Sequence, residues 1–343
     1  MNHESYLQRC IDLALNGAGN VSPNPMVGAV VVHNNTIIGE GYHQQYGEAH
    51  AEVNAINSVK DKLLLSKATI YVSLEPCAHY GKTPPCSDLI IESKIPNVII
   101  GCKDPFAKVA GKGIEKLKKA GVNVTVGVLE KECLDLNKRF FTFHEKKRPY
   151  IILKWAQSQD GFIDKKRTDS CPTINWITQP NTKQITHKWR SEEDAILIGK
   201  NTAINDNPEL TTRAVNGKNP IRIVIDKKLE LPNDLKIFNN GSKTIVLNEL
   251  KNEEKGSILC KKVNFSSFFD DLWSICAEND ILSIIIEGGA FTLNQFIEKE
   301  LWDEARILTG KPFFAEGVIA PKMNQEPTEQ ITFGKDLITY YKK

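Results

Sequence analysis

One histidine, one glutamate and two cysteines define the chemistry this chain is equipped to do. His50-Ala51-Glu52 is followed by Pro76-Cys77 and then, after eight intervening residues, by Cys86. An imidazole and two thiolates give a zinc ion three ligands and leave its fourth position for water. Glu52, two residues past His50, can carry protons to and from that water. His50 opens a helical pattern running through Val53, Ile56 and Val59, which puts both side chains on a first turn, at the positive end of the helix. Cys77 lies in a loop stiffened by Pro76, Pro84 and Pro85, and that loop ends at Cys86. The next helical pattern starts there, and a helix N-terminus favours the thiolate. A polar first turn and cysteines buried in a rigid turn are the bland alternatives. The joint occurrence of the two cysteines with the upstream His50-Ala51-Glu52 outweighs them.

The pattern H-x-E followed by P-C-x-x-C marks zinc enzymes that deaminate nucleobases. Here the second cysteine comes later than that pattern allows. The long loop also carries His79 and Lys82, polar groups that can face a substrate, and Lys82 can meet a phosphate. Upstream, Asn24 sits in the turn Ser22-Pro23-Asn24-Pro25, where its amide serves either a ligand or the turn itself. His43 follows a strand, and its position alone leaves structural and catalytic roles open.

Around these residues, periodicity predicts the supporting elements. Ser5 is placed to cap a helix through Leu7, Cys10, Ile11, Ala14 and Leu15. Val27 to Val32 and Ile37 to Tyr42 read as a hairpin across a short polar turn. Strand Thr69 to Ser73, helix Ser87 to Ser93, strand Val98 to Gly101, helix Ile114 to Ala120, strand Val122 to Val126 and helix Lys131 to Phe141 follow. Alternating strands and helices predict a three-layer α/β domain. The polar stretch Lys146-Lys147-Arg148-Pro149 marks its end, giving domains 1–146 and 147–343.

The second half predicts another α/β domain. Its strands are Tyr150 to Ser158, Ala195 to Gly199, Ile221 to Asp226 and Ile281 to Ile286, with a helix running through Trp189-Arg190. The last strand ends in Glu287-Gly288-Gly289-Ala290 before a helix, a turn suited to phosphate or simply to close packing. Arg190 and Arg213 can bind phosphate oxygens bidentately. The alternative is arginines on exposed helix faces that bind nothing, so these residues are candidates for an anionic-ligand site and by themselves name no reaction.

Composition narrows the classes. At 343 residues the chain has room for two domains, and 41% hydrophobic with 25% charged residues is ordinary for globular protein. A formal net charge of +2 lacks the basic face that bulk nucleic-acid binding needs. No apolar run approaches the roughly 20 residues of a membrane span. The opening Met1-Asn2-His3-Glu4-Ser5 is unlike a signal peptide. Eight thinly spread cysteines predict thiols and a metal-ligand subset rather than a disulfide framework.

Taken together, the chain resembles the bifunctional riboflavin-biosynthesis deaminase–reductase family over nearly its whole length. The resemblance rests on Pro23-Asn24-Pro25-Met26-Val27-Gly28, His50-Ala51-Glu52, Glu75-Pro76-Cys77 through Thr83-Pro84-Pro85-Cys86, Lys154-Trp155-Ala156, Trp176-Ile177-Thr178 and Glu287-Gly288-Gly289. The long loop ending Thr-Pro-Pro-Cys is the most specific of these, and it accounts for the wide cysteine spacing. The resemblance implies a cytidine-deaminase-like zinc domain followed by a dihydrofolate-reductase-like α/β domain. It implies His50, Cys77 and Cys86 as zinc ligands and Glu52 as proton shuttle, with Asn24, His43, Ala51, His79 and Lys82 holding a pyrimidine and its ribose phosphate. In the second domain it implies Lys154, Gln157, Trp176, Thr202, Asp206 and the run Gly289, Ala290, Phe291, Thr292, Leu293 at NADPH, and Arg190, Leu210, Arg213 and Glu287 at substrate. Zinc and NADPH, phosphorylated pyrimidine substrates, a cytoplasmic homo-oligomer and no nucleic-acid or membrane partner complete the expectation.

Some positions depart from the family pattern. Ile174 stands where a small hydroxyl residue is usual, Gln157 replaces a small residue, Asn207 breaks an Asp-Asp-Pro run, and Lys311-Pro312-Phe313 differs as well. A deaminase of nucleic-acid bases would need a basic face, which the net charge of +2 does not supply. A purely structural zinc site would be closed by a fourth protein ligand.

Overall fold

The computed structural model describes residues 2–80, 84–105, 110–166, 174–239 and 241–343. The chain divides into two compact units, Met1–Lys147 and Arg148–Lys343. The first unit holds helices α1 (His3–Ala14), α2 (Ala51–Ser58), α3 (Cys86–Glu92), α4 (Lys112–Lys119), α5 (Glu130–Leu136) and α6 (Lys138–Lys146). Its strands are β1 (Gly28–His33), β2 (Thr36–Tyr42), β3 (Thr69–Leu74), β4 (Asn97–Cys102) and β5 (Asn123–Val126). They pair in the order β2-β1-β3-β4-β5, with β3, β4 and β5 parallel and β1 antiparallel to both neighbours.

Side chains alternate across this sheet as strand geometry requires. Ala29, Val31, Ile70 and Val72 pack with Ala55 and Ile56 of α2, Ile90 of α3 and Leu117 of α4. Val30, Val32 and Tyr71 pack on the other face with Leu7, Cys10 and Ala14 of α1 and with Cys133 and Leu136 of α5. Each fully buried aliphatic side chain in such a core contributes roughly 1.5–3 kcal/mol. The β1–β2 turn is Asn34-Asn35, both at positive φ (50° and 60°), the backbone a two-residue hairpin demands.

Two local expectations are corrected. Asn2, not Ser5, caps α1: its Oδ1 accepts the Ser5 N–H at 3.3 Å. The helix expected over Lys131 to Phe141 is two helices, broken at Asn137. The Asn137 amide accepts the Met26 N–H and donates to the Met26 carbonyl, both at 2.8 Å. A side chain that replaces a strand's hydrogen bonds in this way fixes the residue from outside the helix.

The second unit holds α7 (Thr182–Glu192), α8 (Lys200–Asp206), α9 (Phe268–Glu278) and α10 (Ala290–Glu298). Its strands are β6 (Tyr150–Gln157), β7 (Phe162–Asp164), β8 (Ala195–Gly199), β9 (Ile221–Ile225), β10 (Thr244–Asn248), β11 (Glu253–Lys255), β12 (Ile258–Lys262), β13 (Ser283–Ile286), β14 (Glu304–Thr309), β15 (Val318–Ile319), β16 (Glu329–Phe333) and β17 (Asp336–Lys342). Among the described residues these form a ten-stranded sheet, β11-β12-β10-β9-β8-β13-β6-β14-β17-β16, and the pair β15-β7. Neighbours from β12 to β14 are parallel, and the outer pairs are antiparallel.

Central parallel strands are covered on both faces, so they read as continuous apolar runs such as Ile196-Leu197-Ile198. Leu153, Leu197 and Ile286 pack with α9 and α10, while Ile152, Ile196 and Ile285 pack with Trp189 of α7 and Ala203 of α8. No helix among the described residues is long and apolar enough to cross a membrane.

Candidate active sites

In the first unit, three elements deliver the metal-binding atoms. His50 caps α2 from an extended backbone, Cys77 follows the end of β3 after two residues, and Cys86 is the first residue of α3. His50 Nδ1 lies 3.6 Å from Cys77 Sγ and 3.3 Å from Cys86 Sγ. Each residue offers one ligand atom, and the three lie within 4.8 Å of one another, an arrangement and a donor set that suit zinc. The Cys86 N–H donates to Cys77 Sγ at 3.3 Å. Hydrogen bonds from Cys86 and from His50 outweigh burial and hold Cys77 well below an ordinary thiol, and the neighbouring sulfur pushes Cys86 up. The Cys77 hydrogen bond raises His50.

Glu52 lies against this cluster and is 3% exposed. Burial pushes its carboxyl up to about 7, against the opposing pull of His50. A carboxyl in that range can both take and give a proton near neutrality. Ala51 is fully buried between the two functional residues.

His43 packs edge-on to His50, with ring centroids 5.4 Å apart. Its Nδ1–H donates to the Ala49 carbonyl at 3.1 Å, which leaves Nε2 to accept from Asn24 Nδ2, also at 3.1 Å. That contact sets the orientation of the Asn24 amide and leaves its oxygen for another donor. His79 is exposed in the loop after Cys77, and Lys82 lies outside the described residues.

In the second unit a cleft of about 830 Å³ opens at the carboxyl ends of the parallel strands, where open α/β sheets hold ligands. Lys154 reaches it from β6, Gly199 from β8, Asp226 from the end of β9 and Glu287 from the end of β13. Gly288 is fixed by close packing, since a Cβ there would sit 2.4 Å from the Gly199 nitrogen. Gly289 starts α10 at φ +46°, a backbone that favours glycine.

The cleft is organised around one carboxylate. Glu287 accepts from Arg190 Nε at 3.2 Å and Nη2 at 2.8 Å, and Lys154 Nζ lies 3.6 Å away. Burial would raise Glu287, but Arg190 and Lys154 outweigh it and hold the group at about 2. Burial lowers Lys154, with Glu287 opposing. The Arg190 fork expected at a phosphate is thus engaged by Glu287. Arg213 is more open, contacting Thr211 Oγ1 at 3.2 Å and Glu209 at 3.6 Å.

Trp176, Thr202, Asp206, Leu210, Arg213 and the run Gly289 to Leu293 all line the cleft. Gln157 does not. Its side-chain Oε1 accepts the Trp155 indole N–H at 2.9 Å. Ile174 lines the cleft and is 45% exposed, whereas the Asn207 side chain accepts the Lys236 N–H at 2.8 Å.

His187 is a cleft residue that the sequence reading did not single out. It lies one turn before Arg190 on α7, is buried, and accepts the Ala214 N–H on Nδ1 at 3.4 Å. Burial, then Arg190 and Arg213, lowers it to about 4. The i, i+3 spacing to Arg190 was the available signal. Lys183 also lines the cleft, with its ammonium 3.4 Å from the Trp176 ring centroid.

Comparison with known proteins agrees with both halves. Residues 1–102 match the cytidine and deoxycytidylate deaminase zinc-binding region, and residues 149–315 match the RibD C-terminal domain. The chain is 37% identical to the riboflavin biosynthesis protein RibD of Aquifex aeolicus, over 99% of this chain and 98% of that one. It is 39% identical to RibD of Bacillus amyloliquefaciens, over 93% of this chain and 87% of that one. The crystal structure of a diaminohydroxyphosphoribosylaminopyrimidine deaminase/5-amino-6-(5-phosphoribosylamino)uracil reductase from Thermotoga maritima superposes with a TM-score of 0.88 at 35% identity, covering 99% of this chain and 98% of that one. Acinetobacter baumannii RibD gives a TM-score of 0.88 at 29% identity, with 98% of each chain covered. With a cytidine-deaminase-like zinc fold ahead of a dihydrofolate-reductase-like one, and near-complete coverage of these relatives, the chain belongs to the RibD family of bifunctional riboflavin-biosynthesis deaminase–reductases.

Proposed function

We propose that His50, Cys77, Cys86 and Glu52 carry out the deamination of a diaminopyrimidinone ribosyl phosphate, and that the cleft around Glu287 carries out the reduction of its ribosyl group to ribityl. The observation carrying this assignment is the convergence of three ligand atoms within 4.8 Å beside a buried carboxylate. Zinc held by His50, Cys77 and Cys86 supplies a water acidic enough to attack at neutral pH. Glu52 takes one proton from the attacking water and passes it to the ring nitrogen; it then takes the second from the added hydroxyl, as the C=O bond forms, and passes it to the departing amine. Oxygen bonds to the carbon that loses nitrogen, and ammonia leaves. The Asn24 oxygen, oriented through His43, is placed to accept from the pyrimidine, and His79 and Lys82 are assigned to the ribose phosphate.

In the second unit NADPH supplies the hydride. The residues then have to align cofactor and sugar and to balance charge. Lys154, Arg190 and Glu287 form one fixed array at the sugar, with Arg213 and Leu210 completing the substrate side. Trp176, Thr202, Asp206 and the turn from Gly289 to Leu293 hold the cofactor. Gln157 takes no part beyond supporting Trp155.

A cytoplasmic homo-oligomer without a nucleic-acid partner belongs to the same reading. Thiols committed to a metal suit a reducing compartment, and a net charge of +2 gives no basic field for nucleic acid. The test is to incubate the chain with the pyrimidine phosphate, with and without NADPH, and identify products by mass. Without NADPH an amino nitrogen should be replaced by oxygen, and with NADPH that product should gain two hydrogens. Unchanged substrate under both conditions would refute the assignment.

A further inference from the structure

Glu75 lies between β3 and the metal cysteine, in Glu75-Pro76-Cys77, and is 4% exposed. Its carboxylate accepts four backbone N–H bonds. Oε1 takes Gly113 at 2.9 Å and Ile114 at 3.3 Å, and Oε2 takes Gly111 at 3.0 Å and Asp104 at 3.3 Å. Its own N–H donates to the Cys102 carbonyl at 3.0 Å. The carboxylate thus ties the end of β4 and the first turn of α4 to the segment that carries Cys77.

Contact on the far side of Cys77 is equally specific. The Cys77 carbonyl accepts the Ser87 N–H at 3.1 Å, and its sulfur accepts the Cys86 N–H at 3.3 Å. The first turn of α4 also presses directly on the loop, because a Cβ on Gly113 would sit 2.0 Å from the Pro76 carbonyl oxygen. Cys77 is therefore held between two helix starts. The start of α3 grips it directly, and the start of α4 grips it through Glu75.

We propose that Glu75 is a positioning residue for the metal centre: through four main-chain N–H groups it fixes the Pro76–Cys77 peptide, and so places the Cys77 sulfur for zinc. The inference rests on the ligand assignment given above and adds a residue that touches neither metal nor substrate. An amide cannot replace the carboxylate, because its NH₂ group would face two N–H donors with a donor of its own. Residues that orient metal ligands typically change metal affinity by about 10–100-fold when altered.

The test uses the full chain loaded with zinc, following transfer of the metal to a coloured chelator. Glu75→Gln should bind zinc about 10–100-fold more weakly and shift the thiolate-to-metal absorption of the cobalt-substituted protein. Its far-UV circular dichroism should stay as in the wild type. Lys116→Ala breaks a different tie between α4 and α3, the Lys116–Asp88 ion pair at 2.5 Å, and should leave zinc retention unchanged. Glu75→Gln holding zinc as tightly as the wild type would overturn the proposal, and so would Lys116→Ala losing it equally fast. A reciprocal measurement needs no variant. Stripping zinc from the wild type should speed amide exchange at Gly111, Gly113 and Ile114, and unchanged exchange there would also overturn it. A wild-type chain that binds no zinc would instead refute the ligand assignment itself.

Discussion

The two sites solve opposite electrostatic problems. The first gathers three electron-pair donors and a buried carboxyl, so it is arranged to receive positive charge. The second pairs the Glu287 carboxylate with both Lys154 and Arg190 and adds Arg213 and a neutral His187, so cations outnumber the carboxylate they surround and the array can receive negative charge. A centre built for a cation needs few residues at short range. A site for an extended anionic cofactor and a sugar phosphate must recruit side chains from many strand ends.

The contrast can be tested one unit at a time, because all five tryptophans, Trp155, Trp176, Trp189, Trp273 and Trp302, lie in the second unit. The largest effect is expected from Glu52→Ala. Ammonia release should fall by about 10²–10⁴-fold, with zinc content intact and NADPH oxidation on the deaminated intermediate unchanged. Near-normal ammonia release would remove Glu52 from the chemistry.

Glu287→Gln deprives Lys154 and Arg190, whose side chains are 13% and 12% exposed, of the carboxylate they share. Breaking such a cluster typically costs about 3–5 kcal/mol, so denaturant midpoints read by tryptophan fluorescence should drop and NADPH oxidation should be lost. Deamination should persist. Equal loss of both activities would mean the units do not work separately.

Acid should discriminate further. His187 binds its proton near pH 4 in the folded chain, against an ordinary value of 6.5. The unfolded chain therefore holds more protons across that window, and stability of the second unit should fall as pH drops from about 6.5 to about 4, by on the order of 1–3 kcal/mol. The Glu287 contribution is present above its ordinary value of 4.5 and disappears only as pH falls toward about 2. His187→Asn should flatten the upper limb and leave the lower one. An unchanged upper limb would clear His187 of the effect. The smallest change is expected from Lys183→Met, which loses a cation–π contact worth about 0.5–1 kcal/mol at an exposed site. NADPH affinity measured by fluorescence should move by less than tenfold.

The same contrast explains what the sequence could disclose. His50, Cys77 and Cys86 were legible because metal chemistry admits few residue types and the stiff loop between the cysteines has no packing rationale. Strand positions were legible from apolar runs and alternation. The break at Asn137 was not, because its cause is a bond to Met26, far away in the chain. Nor was the Asn2 cap, since Ser5 is an equally good capping residue by type. In the second unit, Lys154 and Glu287 came from family resemblance, and their mutual contact was invisible until β6 and β13 were side by side. His187 escaped because its i, i+3 spacing to Arg190 does not disclose that Arg213 and Lys154 also fold around it.

The Asn137 amide has a practical consequence for anyone dividing the gene. The matched deaminase zinc-binding region stops at residue 102, yet the Met26 peptide next to Asn24-Pro25 is completed by a side chain well beyond that point. A fragment ending at 102 would keep His50, Cys77 and Cys86 and still lose the strap on the loop that carries Asn24, along with β5 and α4 to α6. The smallest autonomous piece is set by where hydrogen bonds close, so truncations should run to Lys147.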